Sequence, residues 1–181
     1  MKACIVFALC AIISSASAQQ TRMETPIRTA TREDLKANND SIPDGVARQT
    51  AFKRVEVLRF KFHTDLLRGL ERVVAAEQIR NAVILAGIGS VRGYRVHVVS
   101  SRRFPTRNTF IVDTTGAADI ASMNGYIFGG RVHAHITLAN TDRAFGGHLE
   151  EGTEVYTFAI VTIGVLDDAV DLGRMDDASY R

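Results

Sequence analysis

The sequence predicts an α+β fold in which a mainly antiparallel β-sheet packs on one long α-helix. The chain has 181 residues, 46% of them hydrophobic, which is enough to bury one sizeable core. Six or seven segments have strand character, whereas only one has the apolar spacing of an amphipathic helix. Because strands and helices do not alternate, a doubly wound parallel sheet is disfavoured.

The first 18 residues are predicted to be an export signal. Lys2 gives a short positive region, residues 3–13 are apolar, and Ala16-Ser17-Ala18 forms a small-residue cleavage site. Both cysteines of the chain lie in this segment, so the exported chain would carry no thiol. We therefore expect a secreted or periplasmic protein. Beyond this segment, no apolar run is long enough to span a bilayer.

Residues 19–51 are predicted to form a polar linker or arm, and residues 52–181 the folded domain. The linker contains Pro26, Pro43 and the polar run Asn38-Asn39-Asp40, with few large apolar side chains to offset the entropy of ordering.

The folded part begins with a predicted strand and the predicted helix. Apolar and charged residues mix from Phe52 to Phe62 as in a half-buried strand, and Thr64 or Asp65 can cap the helix that follows. The apolar spacing of this helix predicts an end near Asn81. Its buried face is predicted to comprise Leu66, Leu70, Val73 and Val74.

The remaining segments are predicted strands. They cover residues 82–88, 94–99, 109–112, 120–128, 131–139 and 154–166. Residues 87–93 contain three glycines but lack the third glycine of a dinucleotide-binding loop and precede a strand, so they predict a tight turn or a bulge.

Three histidines form the main candidate site. His133 and His135 are two residues apart on a predicted strand and therefore point to one face. If Thr141 and Asp142 form a two-residue hairpin turn, His148 lies opposite His135. A bulge at the two glycines before His148 would instead turn that side chain to the other face.

In the first of these registers the three imidazoles could bind a divalent metal, most plausibly zinc. Opposed Cβ atoms lie roughly 5 Å apart, and neutral imidazoles suit borderline divalent ions. The alternative is that His133, His135 and His148 only bond to backbone or carboxylate groups. His63 and His97 are isolated in the sequence, and for both we favour that structural role.

The residues around these histidines resemble the PPC domain, a domain of plants and prokaryotes. The resemblance rests on two motifs, together with matching segments upstream, over about residues 55–166. The motifs are Gly129-Gly130-Arg131-Val132-His133-Ala134-His135-Ile136-Thr137-Leu138-Ala139 and Gly146-Gly147-His148-Leu149.

The resemblance implies a compact domain with a mainly antiparallel sheet that assembles as a homotrimer. The resemblance also implies a metal site, because some prokaryotic members hold a metal at histidines that match His133, His135 and His148. Plant members carry AT-hook segments and act as DNA-binding regulators. The chain departs from the family at His63-Thr64, where a Gly-Glu pair is usual, and at Ile160, where a glutamate is common.

DNA binding, as in the plant relatives, is a disfavoured alternative for this chain. Its net charge is only +2, and it has no Arg-Gly-Arg-Pro hook. Six arginines between residues 78 and 112 form a local basic tract, which could instead face the acidic C-terminal stretch of a neighbouring subunit. These arginines are Arg80, Arg92, Arg95, Arg102, Arg103 and Arg107.

Two function classes remain open. The first is an exported trimeric module that binds a divalent metal or a small anionic ligand, with metal-assisted hydrolysis as a further option. Glu150 or Glu151 could then serve as a base or a fourth ligand. The second is a structural or interaction protein without a metal. No G-x-S-x-G motif supports a covalent hydrolase, so the sequence leaves enzymatic activity undecided.

Overall fold

The computed structural model describes residues 21–26, 28–29, 31–35 and 38–177. The predicted export signal and both cysteines lie outside these residues. Within them, no helix has the length and apolar character needed to cross a membrane. The described elements are β1 (Thr21–Pro26), a short 3-10 helix (Arg32–Leu35), β2 (Phe52–Lys61), α1 (Leu66–Ala76), β3 (Ala82–Val99), β4 (Arg107–Asp113), β5 (Ala118–Phe128), β6 (Arg131–Ala139), β7 (Ala144–Leu149) and β8 (Glu154–Leu166).

All described strands belong to one antiparallel sheet, which confirms the predicted sheet type. β3 pairs with β5, β5 with β6, β6 with β7, and β7 returns to β3, so these four strands close a ring. β8 pairs with the first part of β3 and carries β2 on its other edge.

Helix α1 packs against β6 and β8 through Leu66, Leu70 and Val74, which are buried. Asp65 is the N-cap, as predicted for this position or its neighbour. Its carboxylate accepts the Arg68 N–H at 3.0 Å and the Gly152 N–H at 2.7 Å. The cap therefore fixes both the start of the helix and the turn before β8.

The helix is shorter than the sequence predicts, because it ends at Ala76 and not near Asn81. Gln78 takes a left-handed conformation with φ 52°, and its N–H donates to the Ala75 carbonyl. The Ile79 N–H donates to the Val74 carbonyl at 2.9 Å, which completes a Schellman-type end. Glycine usually occupies the left-handed position, so this chain lacks the common signal for a helix end.

Residues 87–93 lie inside one continuous strand, β3, so the predicted bulge is present and the alternative of a turn is wrong. The register against β8 shifts between Ile84 and Ala86 and again on both sides of Val91. Gly89 has φ 140°, and a Cβ there would lie 2.1 Å from the Phe158 carbonyl oxygen. Glycine is therefore needed for close approach of two strands.

One strand was not predicted at all. β1 lies within the polar segment that the sequence assigns to a linker, and it pairs antiparallel with β4. Its described side chains are exposed, so it has no apolar alternation from which it could have been predicted.

Candidate metal centre

The β6–β7 hairpin has the predicted register, in which His135 is directly opposite His148. The turn is the predicted two-residue one, since the Asn140 N–H donates to the Arg143 carbonyl at 3.0 Å. The Asn140 side chain also accepts from the N–H groups of Asp142 and Arg143, at 3.0 Å each. The alternative register with a bulge before His148 does not occur.

The two glycines before His148 let β7 lie between two strands. A Cβ on Gly146 would approach the Ile136 carbonyl oxygen of β6 to 2.2 Å, and one on Gly147 would approach the His97 carbonyl oxygen of β3 to 2.3 Å. Real Cβ atoms do not come this close to backbone oxygen, so a larger residue would force the strands apart. The glycines therefore set the position of the histidine that follows them.

Because β7 also pairs with β3, His97 joins the predicted histidines. His97 is directly opposite His148, and their rings stack with centres 4.6 Å apart. The expectation that His97 is isolated is therefore wrong. The pairing joins residues far apart in the chain, so no local spacing could have revealed it.

The three predicted histidines lie next to one another on β6 and β7. The ring centres of His133 and His148 are 5.0 Å apart, and His135 lies 5.6 Å from each of the other two. Gly125 of β5 permits this arrangement, because a Cβ there would lie 2.2 Å from the His133 carbonyl oxygen. β5 can thus pair closely with β6, the strand that carries His133 and His135.

Glu150 is one of two carboxylates at this cluster. Its Oε1 lies 2.6 Å from His97 Nδ1 and 3.1 Å from His148 Nδ1. His97, His148 and Glu150 each offer one ligand atom within 4.8 Å of the others, and all three are partly buried. Of the two glutamates considered from the sequence, Glu151 instead pairs with Arg68 on the helix, at 2.7 Å.

A second carboxylate reaches the cluster from the C-terminal segment. Asp176 Oδ2 lies 3.4 Å from His133 Nδ1, and Asp176 also forms an ion pair with Arg131. Only 11% of the Asp176 side chain is exposed. His133 and His148 thus each have Nδ1 directed at a carboxylate, a contact that leaves Nε2 available on both rings.

The surroundings favour neutral imidazoles at this site. Burial lowers the pKa of His135 below its usual value, and the neighbouring His133 and His97 lower it further. Burial and the proximity of His97 likewise lower the pKa of His148, although the Glu150 carboxylate opposes the shift. A neutral imidazole is the form that binds a metal ion.

His63 lies apart from this cluster, as expected from the sequence. It has a left-handed backbone with φ 64°, and its ring contacts the Glu154 carboxylate and the Arg92 guanidinium. In the resembled family a glycine is usual at this position, and histidine adopts the left-handed conformation less readily than glycine. His63 therefore serves as an internal comparison for the clustered histidines.

Comparison with solved structures identifies proteins of similar fold. A plant- and prokaryote-conserved (PPC) protein of Pyrococcus horikoshii has a TM-score of 0.61 and 23% identity, covering 75% of this chain and 94% of that chain. A metal-containing protein of Archaeoglobus fulgidus has a TM-score of 0.58 and 21% identity, covering 68% and 86%. A candidate DNA-binding protein of Bacteroides thetaiotaomicron has a TM-score of 0.53 and 17% identity, covering 68% and 87%.

The comparison with curated proteins found no match. The family model of the Plants and Prokaryotes Conserved (PCC) domain matches residues 47–167. These residues contain β2 to β8, helix α1 and the four clustered histidines. The chain belongs to the Plants and Prokaryotes Conserved domain family.

Proposed function

We propose that the protein is an exported metal-binding module that holds one divalent ion, zinc by preference, through His133, His135 and His148. The observation that carries the proposal is the mutual placement of the three rings, with centres 5.0–5.6 Å apart. Imidazoles that share a tetrahedral ion at about 2.1 Å have ring centres roughly 5 Å apart. The spacing of the three ring centres therefore supports such an ion.

The carboxylates support this ligand set. Histidine ligands of a metal commonly donate their second N–H to a carboxylate, which fixes the ring and its tautomer. Glu150 can do this for His148, and Asp176 for His133, since each carboxylate faces Nδ1. The A. fulgidus protein of the same fold is described as metal-containing.

His97, His148 and Glu150 form the competing ligand set, because their ligand atoms all lie within 4.8 Å of one another. Ring stacking does not separate the two sets, because the planes of His97 and His148 differ by 19° and those of His133 and His135 by 20°. The Nδ1 atoms of His97 and His148 converge on one oxygen, as expected when a carboxylate accepts from both. We therefore assign Glu150 and His97 to the support of His148.

Zinc with three protein ligands keeps an open position, where it can bind a small anion or activate a water molecule. The histidines would orient the ion, and Glu150 could exchange a proton with a group bound beside it. This chemistry is compatible with metal-assisted hydrolysis as well as with ligand binding.

The experiment is a zinc titration by calorimetry of the wild type and single alanine variants. The proposal expects His133→Ala, His135→Ala and His148→Ala each to lose most zinc affinity, and His63→Ala to retain it. If His97→Ala abolishes binding while His133→Ala and His135→Ala do not, the competing ligand set is correct. If no variant differs from the wild type in zinc affinity, the histidines hold no metal and have only a structural role.

The homotrimer is also a proposal, and an exposed apolar face supports it. Val57, Ile88 and Phe158 lie on the outward side of β2, β3 and β8 and are 69%, 55% and 36% exposed. Ile160 of β8 is directly opposite Arg59 of β2 and Ile88 of β3. In the resembled family a glutamate is common at the position of Ile160. Exposed apolar side chains grouped in this way often mark a surface that another subunit covers.

Nucleic-acid binding is less well supported. Two arginines of the basic tract already pair with carboxylates of the same chain, Arg92 with Glu154 at 3.8 Å and Arg107 with Glu24 at 3.2 Å. Arg95 lies over the Phe110 ring at 4.9 Å. Because of these contacts, fewer arginines of the basic tract are available to bind phosphates.

A further inference from the structure

A cavity of about 600 Å³ adjoins the histidine cluster. His133 and His135 of β6 form one side of it, and Tyr126 and Phe128 of β5 form another. The rest of the wall comes from outside the sheet, from the segment before β2 and from the C-terminal segment that carries Asp176. Its size lies in the range of small-molecule sites.

One wall of the cavity is flat and apolar. The Tyr126 and Phe128 rings stack with centres 5.0 Å apart and an angle of 12° between their planes. Phe128 is buried against Leu172, whereas half of Tyr126 is exposed. A partly exposed aromatic ring held by a buried one favours a planar apolar group as its contact.

The uncompensated charge of the cavity is positive. Among the described residues, the Arg48 guanidinium donates a hydrogen bond only to the carbonyl of its neighbour Ala47, at 3.1 Å. The one carboxylate in the wall, Asp176, is already paired with Arg131 and His133. An arginine without a carboxylate partner favours an anion with two oxygens, which matches its planar fork of donors.

We infer that this cavity binds a small carboxylate with a planar apolar body. The carboxylate pairs with Arg48, the body lies against Tyr126, and the far end of the molecule approaches His133 and His135. The inference rests on the proposed function, because the same two histidines belong to the proposed metal site. Beyond the proposed function, the inference names the chemical class of the ligand that would lie beside the open position of the metal.

The test is a calorimetric titration of purified full-length protein, zinc-free and zinc-loaded, with 3-phenylpropionate. The neutral alcohol 3-phenylpropanol serves as the control ligand. Arg48→Gln is matched by Arg102→Gln, an exposed arginine that does not line this cavity. Tyr126→Ala is matched by Tyr156→Ala, since the two tyrosines are 50% and 48% exposed on different parts of the sheet.

We expect the wild type to bind 3-phenylpropionate saturably. Arg48→Gln should bind this carboxylate about tenfold more weakly, and the wild type should bind the alcohol about tenfold more weakly than the carboxylate. Tyr126→Ala should weaken binding of the carboxylate too, while both control variants bind as the wild type does. Absence of saturable binding in a protein that does take up zinc would overturn the inference and leave the proposed metal site intact. Arg48-dependent binding in a protein that takes up no zinc would support the cavity and refute the metal site.

Discussion

Gly147→Ala tests whether close strand approach builds the histidine cluster. A Cβ at this position would lie 2.3 Å from the His97 carbonyl oxygen and 3.0 Å from its carbonyl carbon. Both contacts are backbone atoms, so β3 and β7 must separate by roughly 1 Å to restore van der Waals distance. Overpacking of this kind costs about 1–3 kcal/mol, and a lost ladder hydrogen bond adds about 1 kcal/mol.

We therefore expect the free energy of unfolding of Gly147→Ala to fall by about 2–4 kcal/mol. In a chain of this size that lowers the Tm by roughly 5–15 °C. Urea and thermal unfolding followed by circular dichroism measure both quantities. Zinc affinity should fall as well, because separation of the strands moves His148 away from His97 and Glu150.

Gly45→Ala is the matched control, since a Cβ there meets no atom within 4 Å. Its free energy of unfolding should stay within about 0.5 kcal/mol of the wild type. If Gly147→Ala is as stable as Gly45→Ala and binds zinc normally, the close approach of β3 and β7 does not position the site.

Three further predictions concern pH, the helix and assembly. The lowered pKa values of His135 and His148 keep these two rings neutral further into the acid range, so zinc affinity should fall mainly as the pH drops below their usual pKa of about 6.5. A loss of affinity that is already large between pH 8 and 7 in titrations would contradict this. Asp65→Ala removes the acceptor of two N–H groups and should lower the free energy of unfolding by about 1–2 kcal/mol in urea, whereas Asp142→Ala in the exposed hairpin turn should change it by less than about 0.5 kcal/mol. Val57→Glu puts a charge on the apolar face and should reduce the mass found by light scattering from three chains to one, and a wild type that already has the mass of one chain would refute the trimer.

Local patterns in the sequence predicted most of the fold. The alternation in β2 and β8, the Asp65 cap and the β6–β7 register all follow from residues close together in the chain. The errors have local causes as well. The helix ends at Ala76 with Gln78, not glycine, in the left-handed position that follows, and β1 carries no apolar alternation.

Of the candidate site, only the histidines of the β6–β7 hairpin were predicted from the sequence. His133, His135 and His148 come together through the β6–β7 turn, so their spacing predicted the cluster on the condition that Thr141 and Asp142 form a two-residue turn. His97 and Asp176 join the cluster through long-range contacts, one across β3 and β7 and the other from the C-terminal segment. No local period encodes such contacts, and they depend on how the sheet closes.

The most direct measurement of the central claim is the metal content of the purified protein, determined by elemental analysis after zinc loading and dialysis. The wild type and His63→Ala should each retain one zinc ion per chain, and a chelator should remove it. His148→Ala should retain none, with an unchanged far-ultraviolet circular dichroism spectrum to show that it is folded. A wild type without zinc, or a His148→Ala variant that retains as much as the wild type, would contradict the account.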